Sequence, residues 1–341
     1  MKITRVGLDL AKDVFQVHGV DAEERVGVRR QLKRGELLRF FVRLDRAEGC
    51  VVGMESCCGS DHWARELVEL GYTVRIMNPA FVKPYVKSNK NDARDAEAIC
   101  EAVGRPTMRF VPVKTLAQHD MLLLHRQREQ WIKRRTALAN HIRGTLAQYG
   151  IVVNKRLESL RRALPRLVSE QDNGLTALAR EVYRQSYEEL RDLDAKVAGL
   201  DAKLEHLARQ DARCVLLMSI PGVGPITATA TVAQVGDGSQ FGSGRQMAAY
   251  LGLVPGQRSS GGKEKLTGIS KRGNRYLRTL MIHGARAAVR TAARKSDRRS
   301  RWVQDLGQRH HANVTSVALA NRNARTMWAL LHTGECYRVA A

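Results

Sequence analysis

The sequence predicts an α/β domain over residues 1–110, a long helical coiled-coil spacer over 111–212 and a mostly α domain over 213–341. Three observations carry this reading. The first third alternates short apolar runs with amphipathic stretches, and Gly71-Tyr72 and Asn78-Pro79 punctuate its turns. Residues 116–149 hold no proline and one late glycine; rich in Leu, Arg and Gln, they predict a long basic helix that Gly150 ends. Beyond them Leu190, Leu193, Val197, Leu200, Leu204 and Leu207 recur at steps of three and four, a heptad seam.

Within the α/β domain the order is three strands near 3–9, 13–20 and 25–32, then a helix near 35–46. A strand at 49–55, a helix at 60–70, a strand at 72–77 and a helix at Asp92–Val103 follow. Three successive strands before alternating helix and strand is the element order of an RNase H-like domain. The apolar run Ile3-Thr4-Arg5-Val6-Gly7-Leu8 closes on Asp9, and Cys50-Val51-Val52-Gly53-Met54 closes on Glu55. Asp92 and Asp95 stand three apart, so a helix projects both from one face. Taken singly, each of these acids reads as a helix cap or a solvated charge. Taken together, carboxylates at two strand ends and on one helix face converge. Four such groups require a counter-ion, and hard divalent cations supply it. Two Mg²⁺ ions about 3.5–4 Å apart, the arrangement of many nucleases and polymerases, are the expected cofactor.

The chain has 341 residues, with 57 Lys and Arg against 34 Asp and Glu, a net +23 that points to a polyanionic partner. The excess is uneven. Residues 1–110 carry 19 basic and 16 acidic side chains, 121–170 carry 11 and 3, and 256–302 carry 14 and 2. The first third is therefore the candidate catalytic domain, and the later segments its grip on an anion. No apolar run approaches membrane-spanning length and no signal-peptide pattern opens the chain. The six cysteines include no Cys-x-x-Cys pair, which argues against zinc and for reduced thiols in the cytoplasm. The expected location is the bacterial cytoplasm, in association with the nucleoid.

In the spacer, Arg126, Arg128, Lys133, Arg134, Arg135 and Arg143 are placed to track a phosphate backbone or to form the solvated face of a structural helix. After Pro165 and the Asp172-Asn173-Gly174 break, the heptad seam must bury itself. It packs antiparallel on the preceding helix or pairs with another chain. From Leu216 to Ala228 the residues form a helix-hairpin-helix pattern around Pro221-Gly222-Val223-Gly224. Gly222 and Gly224 let backbone N–H groups approach a phosphate at the start of the second helix, without reading base sequence. A tight turn between packed helices is the plainer reading of the same residues. Next come Ala248-Ala249-Tyr250-Leu251-Gly252-Leu253-Val254-Pro255, a polar loop Gln257-Arg258-Ser259-Ser260-Gly261-Gly262-Lys263, and Ile269-Ser270-Lys271-Arg272-Gly273-Asn274-Arg275. Lys263, Lys271, Arg272 and Arg275 join the two glycines as candidate nucleic-acid contacts. Two closing helices, 275–295 and 312–333, flank a basic hinge at 294–301.

Gly7-Leu8-Asp9, Gly53-Met54-Glu55-Ser56, Asn78-Pro79 and Asn91-Asp92-Ala93-Arg94-Asp95-Ala96 together resemble the DEDD insertion-sequence transposases. These are a RuvC-like family that includes the Piv-type DNA invertases and the bridge-RNA-guided recombinases. The block from Ala248 to Arg278 is similar to that family's C-terminal transposase domain. The resemblance covers nearly the whole chain and departs at Cys57-Cys58, where the family has a small pair such as Thr-Gly. It implies a loop serine that attacks the DNA phosphate. The family's Pro-x4-Ser-Gly pattern, counted from Pro255, puts it at Ser260, with Ser259 still open. It also implies a dimer or tetramer joined through the helical insertion, a serine and carboxylates drawn from different protomers, and guidance by a structured RNA from the element's own non-coding end.

Gly7-Leu8-Asp9-Leu10-Ala11-Lys12 alone also resembles the first phosphate loop of actin-like sugar kinases, but no second phosphate loop follows. Three functional classes remain: a site-specific DNA recombinase, a metal-dependent Holliday-junction endonuclease without serine chemistry, and a non-catalytic nucleic-acid binder. The last would carry four converging carboxylates at a cost. The expectation is the recombinase.

Overall fold

The computed structural model describes residues 1–87 and 92–338 and divides into two compact units, Met1–Thr115 and Leu116–Ala341. Asn91, part of the acidic motif, lies outside the described residues.

The first unit is built from β1 (Ile3–Leu10), β2 (Val14–Val20), β3 (Val26–Lys33), α1 (Leu37–Arg43), β4 (Arg46–Glu55), α2 (Ser60–Glu69), β5 (Thr73–Met77), α3 (Pro79–Val82), α4 (Asp92–Val103) and β6 (Phe110–Val111). Its sheet runs β3-β2-β1-β4-β5-β6. β1, β2 and β3 form an antiparallel meander, β4 and β5 lie parallel to β1, and β6 closes the far edge antiparallel. The helix expected near 35–46 is shorter. A 3₁₀ turn at Arg34–Glu36 precedes α1, and Arg46 already belongs to β4. Arg46 leaves the helix because its guanidinium donates to the Leu70 and Gly71 carbonyls and covers the Tyr72 ring.

Both faces of this sheet are covered. On one, Phe15, Phe41, Met54, Trp63 and Leu67 form a core with α1 and α2. On the other, Met77, Ile99 and Val103 seat α4. Glycines decide how close α4 comes. A Cβ at Gly7 would overlap the Ala96 carbonyl oxygen and the Cys100 amide, and one at Gly53 would stand 2.7 Å from the Val103 Cβ.

The second unit contains α5 (Leu116–Leu146), α6 (Leu157–Ser169), α7 (Ala177–Gln210), α8 (Ala212–Met218), α9 (Pro225–Val235), α10 (Gly244–Tyr250), β7 (Pro255–Gln257), β8 (Leu266–Ile269), α11 (Arg275–Ala292), α12 (Arg298–Arg309) and α13 (Ala312–Thr333). Arg128 pairs with Asp201 and Arg135 with Asp194, so α5 and α7 run antiparallel. Leu190, Leu193, Val197, Leu200 and Leu204 are buried within the chain, the most exposed at 6%. The seam therefore closes inside one molecule. Of the two arrangements expected for the seam, this is the antiparallel packing on the preceding helix.

Two further expectations change. Pro165 does not mark a break but sits inside α6, on its exposed side. Leu160 and Leu164, both fully buried, hold α6 down and outweigh the hydrogen bond the proline loses. Only the first half of the basic stretch 294–301 is a connection; its second half, Arg298–Arg301, opens α12. Asp297 caps it by accepting from the Arg299 and Ser300 amides. Arg299 points inward, donating to the Pro221 carbonyl at 2.7 Å and Asn323 Oδ1 at 2.9 Å. A buried arginine that bonds carbonyls reads, from sequence, like one that faces solvent.

Candidate active site

β1 alternates its side chains between the two faces of the sheet, so Gly7 and Asp9 share the α4 side. Gly7 lies against Ala96 and Cys100. Two strand residues advance about 6.6 Å, the rise of about four helical residues, so Asp9 comes level with the first turn of α4. The structure brings Asp9, Asp92 and Asp95 together there, one carboxylate oxygen of each lying within 4.8 Å of the others. Asp9 and Asp95 are half-buried and Asp92 is exposed. The α4 N-terminus, with a partial positive charge of about +0.5, offsets part of their repulsion. The three carboxylates still repel one another, less where solvent screens Asp92.

Glu55 does not belong to this trio. It closes β4, the parallel neighbour of β1, in register with Met77 of β5. The Cys57 thiol registers both acids: burial pushes it up to about 11, and the Asp9 and Glu55 carboxylates act in the same direction. The oxygen donors fit a hard divalent cation.

In the second unit the polar loop is a β-hairpin. Arg258 N donates to Lys265 O and Lys263 N to Ser260 O. Gly261 and Gly262, at φ +57° and +75°, make the two-residue turn, whose geometry needs positive φ at both positions. Ser260 and Lys263 thus face each other across an exposed tip. The Ser259 hydroxyl accepts from Gln257 Nε2 at 2.9 Å.

The turn after β8 is pinned to the stretch before β7. Ser270 N donates to Val254 O and Lys271 N to Gly252 O. A Cβ at Gly252 would overlap the Arg272 carbonyl, and one at Gly273 the Tyr250 carbonyl. Lys271 adopts φ +54°, and its side chain and those of Arg272 and Arg275 are all exposed. Arg278, missed in the sequence, is buried and anchors the turn by donating to the Leu251 and Arg272 carbonyls.

α8 and α9 are joined by a tight turn at Pro221-Gly222-Val223-Gly224. A Cβ at Gly222 would stand 2.7 Å from the Gly284 carbonyl oxygen. Gly222 is thus required by packing against α11, whereas Gly224, the residue preceding α9, has open space around its Cα.

Residues 6–151 match a family model described as a transposase, of the IS110 DEDD type, and residues 214–301 match the Transposase IS116/IS110/IS902 family. Over 99% of both sequences the chain is 52% identical to a probable family 20 transposase of Pseudomonas aeruginosa. It is 44% identical to the transposase for insertion sequence element IS1111A of Coxiella burnetii, over 98% of this chain and 92% of that one. With the transposase for insertion sequence element IS1328 of Yersinia enterocolitica it shares 36% identity over 98% of each. The DEDD-type match suggests dependence on a divalent metal. The acidic trio and the two matched regions lead to one assignment: the chain belongs to the IS110/IS116/IS902 family of insertion-element transposases.

Proposed function

We propose that the protein is a site-specific DNA recombinase that moves an insertion element by metal-dependent strand cleavage and exchange through a serine–DNA ester. The observation that carries the reading is the meeting of Asp9, Asp92 and Asp95 within 4.8 Å at the end of β1 and the start of α4. A sheet order of β3-β2-β1-β4-β5, with the first three strands antiparallel, supports an RNase H-like, RuvC-type domain.

Asp9, Asp92 and Asp95, with Glu55 beside them, would hold Mg²⁺, and the expected count is two. The chemistry such cations supply is neutralisation of phosphate charge and activation of a hydroxyl. Ser260 is the nucleophile. Its Oγ–phosphorus bond forms as the bond from phosphorus to one deoxyribose oxygen breaks. The serine gives up its proton and the leaving sugar oxygen gains one. The phosphoryl bond is thereby kept until a new hydroxyl displaces the serine. Engagement of the Ser259 hydroxyl by Gln257 supports Ser260 over its neighbour. Lys263, Lys271, Arg272 and Arg275 grip phosphates, and Gly224 opens the α9 N-terminus to another. A structured RNA from the element selects the DNA, and a homo-oligomer carries out the exchange; the net +23 supports a large nucleic-acid load. Relatives that are transposases along their whole length do not favour a junction endonuclease.

The test incubates the protein with element-end DNA, with and without the flanking transcript, and resolves covalent adducts. Asp92→Ala should bind DNA yet cut on the order of a hundredfold more slowly or worse. Ser260→Ala should bind DNA and metal but form no adduct. Full cleavage by Asp92→Ala, or in excess EDTA, sinks the metal reading. Adduct formation by Ser260→Ala sinks the serine assignment.

A further inference from the structure

Sheet register places two amides beside the carboxylate site. Asp9 of β1 pairs with Gln16 of β2, and Gln16 pairs with Gln31 of β3. Gln16 Nε2 donates to Gln31 Oε1 at 3.3 Å. On the β3 edge, Arg29, Gln31 and Lys33 alternate onto this same face, and all three are exposed. Arg29 lies 3.6 Å from Glu97 of α4, which fixes the face. Lys33 makes no ion pair among the described residues.

We propose that this strip, Arg29, Gln31 and Lys33 with Gln16, guides the DNA strand being cut across the carboxylates; the proposal rests on the reading of Asp9, Asp92 and Asp95 as the cleavage site. The order of residue types supports it. A lysine or arginine at position 16 would pair with Asp9 and occupy it. An amide there donates to a phosphate oxygen without neutralising the carboxylate. The cations stand farther out, at the sheet edge, separated along β3 by about 13 Å, where they meet phosphates on the approach.

The competing explanation is that charges on β3 only protect an exposed edge strand from pairing with another chain. Arg30 separates the two. It is an exposed cation on the same strand, projecting from the opposite face.

The experiment measures binding of the full chain to a labelled duplex from the element terminus across a salt series in EDTA, and cleavage of the same duplex in Mg²⁺. A cation that contacts a phosphate contributes about 0.7–0.9 to the slope of log K against log salt. On a duplex, Arg29→Ala with Lys33→Ala should therefore lower the slope by roughly 1.8, and Arg30→Ala should leave it unchanged. Gln31→Ala should keep the slope and cut more slowly. Equal loss of slope in Arg30→Ala, or no loss in the double variant, overturns the strip. Asp9→Ala is the separate control. If it cuts at the wild-type rate, the cleavage-site reading has failed, whatever the slopes show.

Discussion

Gly7 shows how a single residue without a side chain can govern the site. It lies two positions before Asp9 on the same face, and the backbone of α4 rests directly on it. The sequence displays Gly-x-acid twice, at Gly7-Leu8-Asp9 and Gly53-Met54-Glu55. The structure explains the repeat: each glycine admits α4 beside the carboxylate that follows. A methyl at Gly7 must push the helix away, and with it Asp92 and Asp95. Gly7→Ala should therefore destabilise the fold by about 1–3 kcal/mol, as overpacking does. It should also depress cleavage although every acid is intact. Gly144→Ala is the contrast, because Gly144 lies inside α5 with open space around its Cα. It should stabilise by about 0.5–1 kcal/mol. Urea midpoints of the two variants check both signs, and an undisturbed Gly7→Ala would mean that α4 is not seated on that strand.

Among the elements of the second unit, α5, α9 and α11 are tied through His125. The Thr229 hydroxyl donates to the Pro225 carbonyl at 2.7 Å, so it must accept from His125 Nε2–H at 3.0 Å. Nδ1 then accepts from the Tyr276 hydroxyl at 3.0 Å, and Tyr276 in turn bonds Arg128. This chain requires a neutral imidazole. Burial lowers His125 to about 4, Arg128 adds to the effect, and Asp201 opposes it. Its ordinary value is 6.5, so below that pH the unfolded chain takes up a proton that the folded one refuses. The stabilisation is complete above pH 6.5 and declines as pH falls, by on the order of 3 kcal/mol on reaching pH 4. His125→Gln should flatten this part of the profile, and subtracting the two curves isolates the histidine from the other nine. Parallel curves would place the pH dependence elsewhere. Legibility followed element length and contact range. β1, β4, α4, α5 and α7 declare themselves through apolar runs and periodicity, and Asp92 and Asp95 through their spacing. α6 was hidden by Pro165, and α12 by arginines that look solvated until Pro221 and Asn323 are seen to accept from Arg299. Gly222 shows the same limit, since the approach of Gly284, 62 positions on, appears only in three dimensions. The Asp9–Gln16–Gln31 row depends on strand register, which no local pattern specifies.

At the scale of the whole molecule, charge and chemistry are divided between the units. Met1–Thr115 carries 20 basic and 16 acidic side chains, and Leu116–Ala341 carries 37 and 18. The first unit has its own core on each face of its sheet and holds Asp9, Glu55, Asp92 and Asp95. A fragment ending at Thr115 should therefore unfold cooperatively by itself. It should also show metal binding with no DNA, RNA or serine loop present. A cation at a hundred times its dissociation constant stabilises the native state by about 2.7 kcal/mol, which for a domain of this size raises Tm by roughly 10 °C. The variant carrying Asp9→Asn and Asp92→Asn should behave in the opposite sense. Freed of carboxylate repulsion, it should melt higher than the wild-type fragment without metal, and it should gain nothing when Mg²⁺ or Mn²⁺ is added. The crossing of the two responses is the signature, because a general loss of structure would lower Tm in both conditions. Calorimetry on the two fragments decides it: an equal Mg²⁺ shift in both places the cation outside the Asp9–Asp92–Asp95 cluster.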